Sequence, residues 1–225
     1  VYDASMDAIV RETEILNNEI ADATKSGYEH FTLKEINEQP QTIRSALLSR
    51  IMEDYGTAFF EELSFDVDEF LSVQRILILA CGTSWHAGYL SSYMFEDKAR
   101  IPVQVEISSE FRYKNPIVPP GTLVIAISQS GETADTIAAV RELKAKGNRI
   151  LAICNVHGST LAREADACLF LKAGPEIGVC STKAFTSQVI VLSLLCLMMA
   201  RMRHMSKHEG QEFLEALQKL PAQVQ

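Results

Sequence analysis

The sequence offers no disulfide framework. Its five cysteines, Cys81, Cys154, Cys168, Cys180 and Cys196, are odd in number, form no C-x-x-C pair and sit mostly inside apolar runs. That pattern fits reduced, buried thiols in a cytoplasm. Basic clusters are missing as well. The net charge is −8 at pH 7, which argues against nucleic acid as a partner, since phosphate backbones are bound mainly through grouped Lys and Arg. No apolar run approaches the roughly 20 residues that cross a bilayer; the longest, residues 189–200, is interrupted by Ser193. No signal peptide is visible either, so the expectation is a soluble cytoplasmic protein without membrane contact. Gly82 stands outside any G-x-G-x-x-G, so no dinucleotide cofactor is indicated. A metal is not indicated, because His204 and His208, four apart, would supply two ligands without a clear third.

What is present describes a globular α/β protein. Of 225 residues, 47% are hydrophobic and 22% charged, ordinary values for a chain with one sizeable core. It begins at Val1 and ends in Leu220-Pro221-Ala222-Gln223-Val224-Gln225, and a natural protein longer on each side is expected. Residues 1–72 read as a helical lead-in with no strand-like run. Helices are expected over 3–16, around 33–36, and again from Pro40, where Ile43, Leu47, Leu48 and Ile51 recur at helical spacing. Pro40 suits a first helical turn. Residues 73–225 alternate strand and helix. Strands are predicted at 75–80, 103–107, 123–127, 149–154 and 167–171, and the longer helices at about 132–146, 182–202 and 207–220. Near-continuous apolar strands joined by helices predict a mostly parallel five-stranded sheet in a three-layer α/β/α sandwich.

In such a sheet, ligands bind beyond the carboxyl ends of the strands, where the strand order switches. Three loops there are rich in hydroxyls and glycine: Gly82-Thr83-Ser84, Ser128-Gln129-Ser130-Gly131-Glu132-Thr133, and Gly178-Val179-Cys180-Ser181-Thr182. In the middle loop, the Ser128, Ser130 and Thr133 hydroxyls and the Gln129 amide could converge with the first N–H groups of the next helix. Such a pocket holds phosphate through neutral donors and the helix dipole, without lysine. The same residues are also ordinary helix caps. Taken singly, Thr83-Ser84 and Ser181-Thr182 read first as caps, and the middle loop reads equally well either way. His86 and His157 lack a carboxylate partner and read as packing, Cys180 as a small filler, and the run Met198, Met199, Met202, Met205 as a buried or interface face.

Four stretches carry a resemblance: Leu79-Ala80-Cys81-Gly82-Thr83-Ser84, Ser108-Ser109-Glu110-Phe111-Arg112-Tyr113, Ser128 through Thr136, and Glu176 through Thr186. With Lys34-Glu35-Ile36 and Glu38-Gln39-Pro40 ahead of them, they resemble, in order, the first sugar-isomerase (SIS) domain and preceding linker of the glucosamine-6-phosphate synthase family. The resemblance implies fructose 6-phosphate, and its product glucosamine 6-phosphate, as ligands. By position it implies Ser84, Ser128, Gln129, Ser130 and Thr133 on the phosphate, and Thr83, Val179 and Ser181 on the sugar side. It also implies a homodimer, with a glutaminase and a second SIS domain in the same full-length chain. The motifs of those parts, and the isomerisation residues, do not occur in this sequence. No catalytic residue is therefore assigned, and the segment alone is expected to bind sugar phosphate without turnover. Cys180 stands where the family usually has alanine. Two alternatives remain: a self-contained sugar-phosphate isomerase using Glu132 or Glu176 as base, and a phosphosugar-sensing regulatory module.

Overall fold

The computed structural model describes residues 24–225, and the helix expected over 3–16 lies outside the described residues. The first described helix, α1 (Phe31–Leu47), runs unbroken through Pro40, where two helices were expected. Proline inside a helix removes one N–H and leaves the carbonyl four residues back without its donor. Here that carbonyl belongs to Ile36, and Gln39 Nε2 donates to it at 3.1 Å, so the helix continues. The lead-in also contains strands that were not expected, a small antiparallel pair of β1 (Ile51–Met52) with β2 (Thr57–Ala58). Strands of two residues carry no alternation to read. Helix α2 (Val67–Ser72) follows, started by a reciprocal cap between Asp66 and Glu69.

Five longer strands then alternate with helices: β3 (Arg75–Ala80), α3 (Gly82–Met94), β4 (Val103–Ile107), α4 (Ser108–Phe111), β5 (Thr122–Ser128), α5 (Ala134–Ala145), β6 (Ile150–Cys154), α6 (Thr160–Glu164) and β7 (Ala167–Phe170). Two helices close the chain, α7 (Lys183–Arg203) and α8 (Lys207–Gln223). The five strands form one parallel sheet in the order β4-β3-β5-β6-β7. Successive residues point to opposite faces. Ile76, Ile78, Ala80, Ile125, Ile127, Leu151 and Ile153 join the larger core beside α7. Leu77, Leu79, Val124, Ala126, Ile150 and Ala152 pack with Ile137, Val140 and Leu143 of α5 and Leu161 of α6. Both faces are covered, which is why these strands read as continuous apolar runs.

Helix α7 exceeds the apolar run seen in sequence, because polar residues at both ends join it. At 21 residues with mean hydropathy 1.7 it is long and apolar enough to cross a membrane by length and composition alone, yet 83% of the stretch is buried in the protein. It packs between α1 and α3, and a helix that is apolar all round is one buried all round. Met198, Met199 and Met205 are buried in this core. The chain leaves β3 for β4 on one side and returns to β5 on the other, so the strand order reverses between β3 and β5. Their carboxyl ends flank the crevice where a ligand is expected.

Candidate functional site

The middle loop begins as β5 ends. Ser128 is buried, and its Oγ accepts the Gly131 N–H at 3.0 Å and pairs with Thr133 Oγ1 at 2.9 Å. Ser130 Oγ accepts the Glu132 N–H at 3.1 Å. Gly131 has φ +67°, a left-handed conformation that lets the chain double back. Thr133 occupies the N-cap position of α5 yet makes no side-chain cap. A hydroxyl owns one proton and two acceptor positions. Ser130 uses only an acceptor position internally, and the Ser128–Thr133 pair shares one of its two protons. Hydroxyl protons therefore remain available, beside helix N–H groups that no side chain caps. The Gln129 side-chain amide likewise engages no partner among the described residues, while the Gln129 main-chain carbonyl accepts the Asn155 N–H at 3.0 Å.

The flanking loops do not cap either, contrary to the simplest reading of each. Helix α3 starts at Gly82 with Cys81 as N-cap and no side-chain cap, so Thr83 and Ser84 lie inside its first turn. Thr83 is exposed; Ser84 is buried, and its Oγ accepts from Gln188 Nε2 at 2.9 Å. That bond ties the start of α3 to the start of α7. Thr182 is the N-cap of α7 without capping it; the Glu176 carboxylate instead takes the Thr182 and Ala184 N–H groups at 2.9 and 3.1 Å. The Ser181, Thr182 and Ser187 hydroxyls and Gln188 Oε1 are buried without partners. Leaving such a group unsatisfied costs about 1–3 kcal/mol, and all four belong to the start of α7 and the loop before it. Val179 and Cys180 are exposed.

Glu132 and Glu176, the bases that an isomerase reading needs, are both committed to main chain. Glu132 Oε1 accepts the Thr160 N–H at 2.7 Å, and this bond holds its carboxyl below the ordinary value. A lowered carboxylate is a poorer base at neutral pH. His86 Nδ1 lies 3.0 Å from Gly82 O, and His157 stacks on Phe170. His204 ends α7, and His208 lies on α8 beside Glu212. Burial raises the Cys196 thiol to about 12, and a hydrogen bond with Cys154 together with burial drives Cys168 well above the usual range. Neither is a nucleophile. The Ser108–Tyr113 motif acts as scaffold: Ser108 Oγ accepts from Thr136 at 3.0 Å, and Arg112 pairs with Asp135 at 2.8 Å, fixing α5 behind its loop.

Three participants escaped the sequence reading. Gln188 is 1% exposed, and a glutamine within an apolar helical run was the available signal. Asn155 Nδ2 donates to Gly174 O at 2.6 Å and its Oδ1 accepts the Ala173 N–H at 3.1 Å, joining the end of β6 to the segment that leads from β7 toward the third loop. Glu35 comes from α1 and accepts the Ile177 and Gly178 N–H groups; the sequence marked it only as part of the linker resemblance, with no role at the loop. Two cavities of about 420 Å³ each lie elsewhere, lined by residues such as Arg75, Pro119 and Thr122 at the amino ends of the strands. They open at the amino edge of the sheet, opposite the carboxyl ends of β3 and β5, and their charged lining, Arg75 and Lys114 in one and Lys146 and Arg149 in the other, is of a different kind from the hydroxyl-rich loops.

The SIS domain family model matches residues 69–198. The glutamine–fructose-6-phosphate aminotransferase (isomerizing) of Methanosarcina acetivorans is 50% identical over 204 residues, covering 90% of this chain and 33% of that protein. The one from Clostridium perfringens is 42% identical over 226 residues, 100% of this chain and 37% of that protein. The chain thus spans about a third of the length of these relatives. Among solved structures, the C-terminal domain of glucosamine-fructose-6-phosphate aminotransferase from Francisella tularensis matches with a TM-score of 0.81 at 40% identity, over 88% of this chain and 56% of that one.

Proposed function

The chain belongs to the SIS domain family, and on that premise we propose that it is the first phosphosugar-binding domain of a glutamine–fructose-6-phosphate aminotransferase, with fructose 6-phosphate as its ligand. The observation that carries this is the set of unclaimed donors where β3 and β5 give way to helices. Ser84, Ser128, Gln129, Ser130 and Thr133 hold the phosphoryl group, and Thr83, Val179 and Ser181 line the sugar. The hydroxyls that accept internal N–H bonds are oriented by them and keep protons for the ligand. The positive end of α5 adds its dipole, so an acidic chain binds an anion without a lysine. Glucosamine 6-phosphate carries the same phosphoryl group and binds the same cradle.

Proton transfer between C1 and C2 of the sugar needs a positioned base, and the two candidates, Glu132 and Glu176, are occupied by main-chain amides. The base, the glutaminase that supplies ammonia and the second SIS domain belong to the rest of the full-length chain, which works as a homodimer. The 225-residue chain binds and does not turn over. Thermal unfolding tests the first point. Saturation at about 100 times Kd adds roughly 2.7 kcal/mol, which raises Tm by about 5–10 °C for a chain of this size. Fructose 6-phosphate is expected to do this and unphosphorylated fructose is not. Equal shifts from both, or none from either, would remove the assignment. Formation of glucosamine 6-phosphate by the isolated chain with glutamine or ammonia would refute the second point.

A further inference from the structure

Glu35 and Glu38 lie three residues apart on α1, hence on one face, and both reach the third loop. Glu35 is 2% exposed. Its Oε1 accepts the Ile177 N–H at 2.6 Å and the Gly178 N–H at 3.0 Å, with Oε2 3.2 Å from the latter nitrogen. Glu38 accepts from Lys183 Nζ at 2.7 Å, and Lys183 is itself only 5% exposed. The arch between these two anchors contains Val179, Cys180 and Ser181. Val179 is fully exposed, so the arch has little packing of its own. Gly178 shows how close α1 approaches: a Cβ there would lie 2.4 Å from Glu35 Oε2 and 2.8 Å from Thr32 Oγ1. Its backbone lies outside the left-handed region, so close approach alone requires the glycine.

Docking of α1 does not need this carboxylate, because Ile43, Ala46 and Leu47 bury its apolar face in the core. A buried acid that accepts two amides more than 140 residues away in sequence acts on the loop. We propose that Glu35 is a positioning residue for the sugar-side loop, and that the sugar half of the site takes shape only while α1 holds residues 177–183 through Glu35 and Glu38. This rests on the functional reading above, which places Val179 and Ser181 against the sugar. Apart from Ser84, which Gln188 ties to α7, the phosphate cradle follows β5, a different strand from the one that leads into the loop held by α1.

The test uses the 225-residue chain, titrated calorimetrically with fructose 6-phosphate and separately with inorganic phosphate, alongside amide hydrogen exchange without ligand. Glu35→Gln keeps the size but places an NH2 against one of the two N–H donors. It is expected to weaken fructose 6-phosphate about tenfold, as loss of a charge-assisted bond does, and to leave inorganic phosphate within about twofold. Exchange over 176–183 should quicken at least about tenfold, with β5 unchanged. Gly178→Ala approaches the same contact from the loop and should give the same pattern, which covers the case in which Glu35→Gln does not fold. Unchanged fructose 6-phosphate affinity, a parallel loss of inorganic phosphate, or unchanged exchange over 176–183 would each overturn the proposal. If the wild-type chain binds neither ligand, the functional reading fails, and exchange alone decides whether Glu35 positions the loop.

Discussion

Replacing Gly131 with alanine separates two demands that the middle loop makes on one residue. The first is conformational: φ is +67°, and a left-handed backbone costs an L-residue with a Cβ roughly 1–2 kcal/mol. The second is steric. A Cβ at this position would lie 2.1 Å from Ser159 Oγ and 2.5 Å from Ser159 Cβ, and over-packing of that kind costs about 1–3 kcal/mol. Together Gly131→Ala should lose about 2–5 kcal/mol, a fall in Tm on the order of 5–15 °C. The steric part can be removed independently. Ser159 Oγ is buried without a partner among the described residues, and glycine for serine at a helix N-cap costs only about 0.3 kcal/mol. Ser159→Gly alone should therefore be mild, and combined with Gly131→Ala it should recover about 1–3 kcal/mol. Urea denaturation of the four chains closes the cycle. A Gly131→Ala chain within about 0.5 kcal/mol of wild type, or no recovery in the double variant, would refute the reasoning.

Two further perturbations test the scaffold. Burial raises the Glu62 carboxyl, but a main-chain hydrogen bond and the Arg50 guanidinium at 2.9 Å outweigh it, so its net position is below the ordinary value. A carboxyl lowered on folding contributes stability above its unfolded pKa and loses it as pH falls through the folded one. Glu62→Gln should thus cost about 1–2 kcal/mol at pH 7, with the gap to wild type closing between about pH 5 and pH 3; a gap that persists at the acid end would contradict this in denaturant melts. Pro40→Ala restores the N–H that Ile36 O lacks. Helix propensity and chain entropy together predict a gain of about 2 kcal/mol, and a lower Tm by calorimetry would show that Pro40 serves the fold in some other way.

Much of the sheet was legible because its strands are buried on both faces, and burial leaves a near-continuous run of Ile, Leu, Val and Ala. Gln39 next to Pro40 was not read as a rescue, since whether a side chain can reach an orphaned carbonyl depends on the turn already being formed. The β1–β2 pair and α6 were too short to carry a period. The hydroxyl-rich loops were visible as composition, but serine and threonine look alike as caps and as ligand donors. The difference lies in where each proton and lone pair is directed, which appears only once Thr133 is seen at an uncapped N-terminus and Ser84 is seen accepting from Gln188.

The sequence by itself determined the alternation of strand and helix, the parallel sheet and the three loops at its carboxyl edge, because these follow from local periodicity and turn chemistry. Tertiary structure alone decided that a lead-in glutamate would reach the third loop, that Asn155 would bridge the middle loop and the segment after β7, and that Glu132 and Glu176 would be taken up by main-chain amides. Those pairings join residues that lie far apart along the chain or whose backbone amides face them only after folding. No local pattern encodes a distance that the packed core sets.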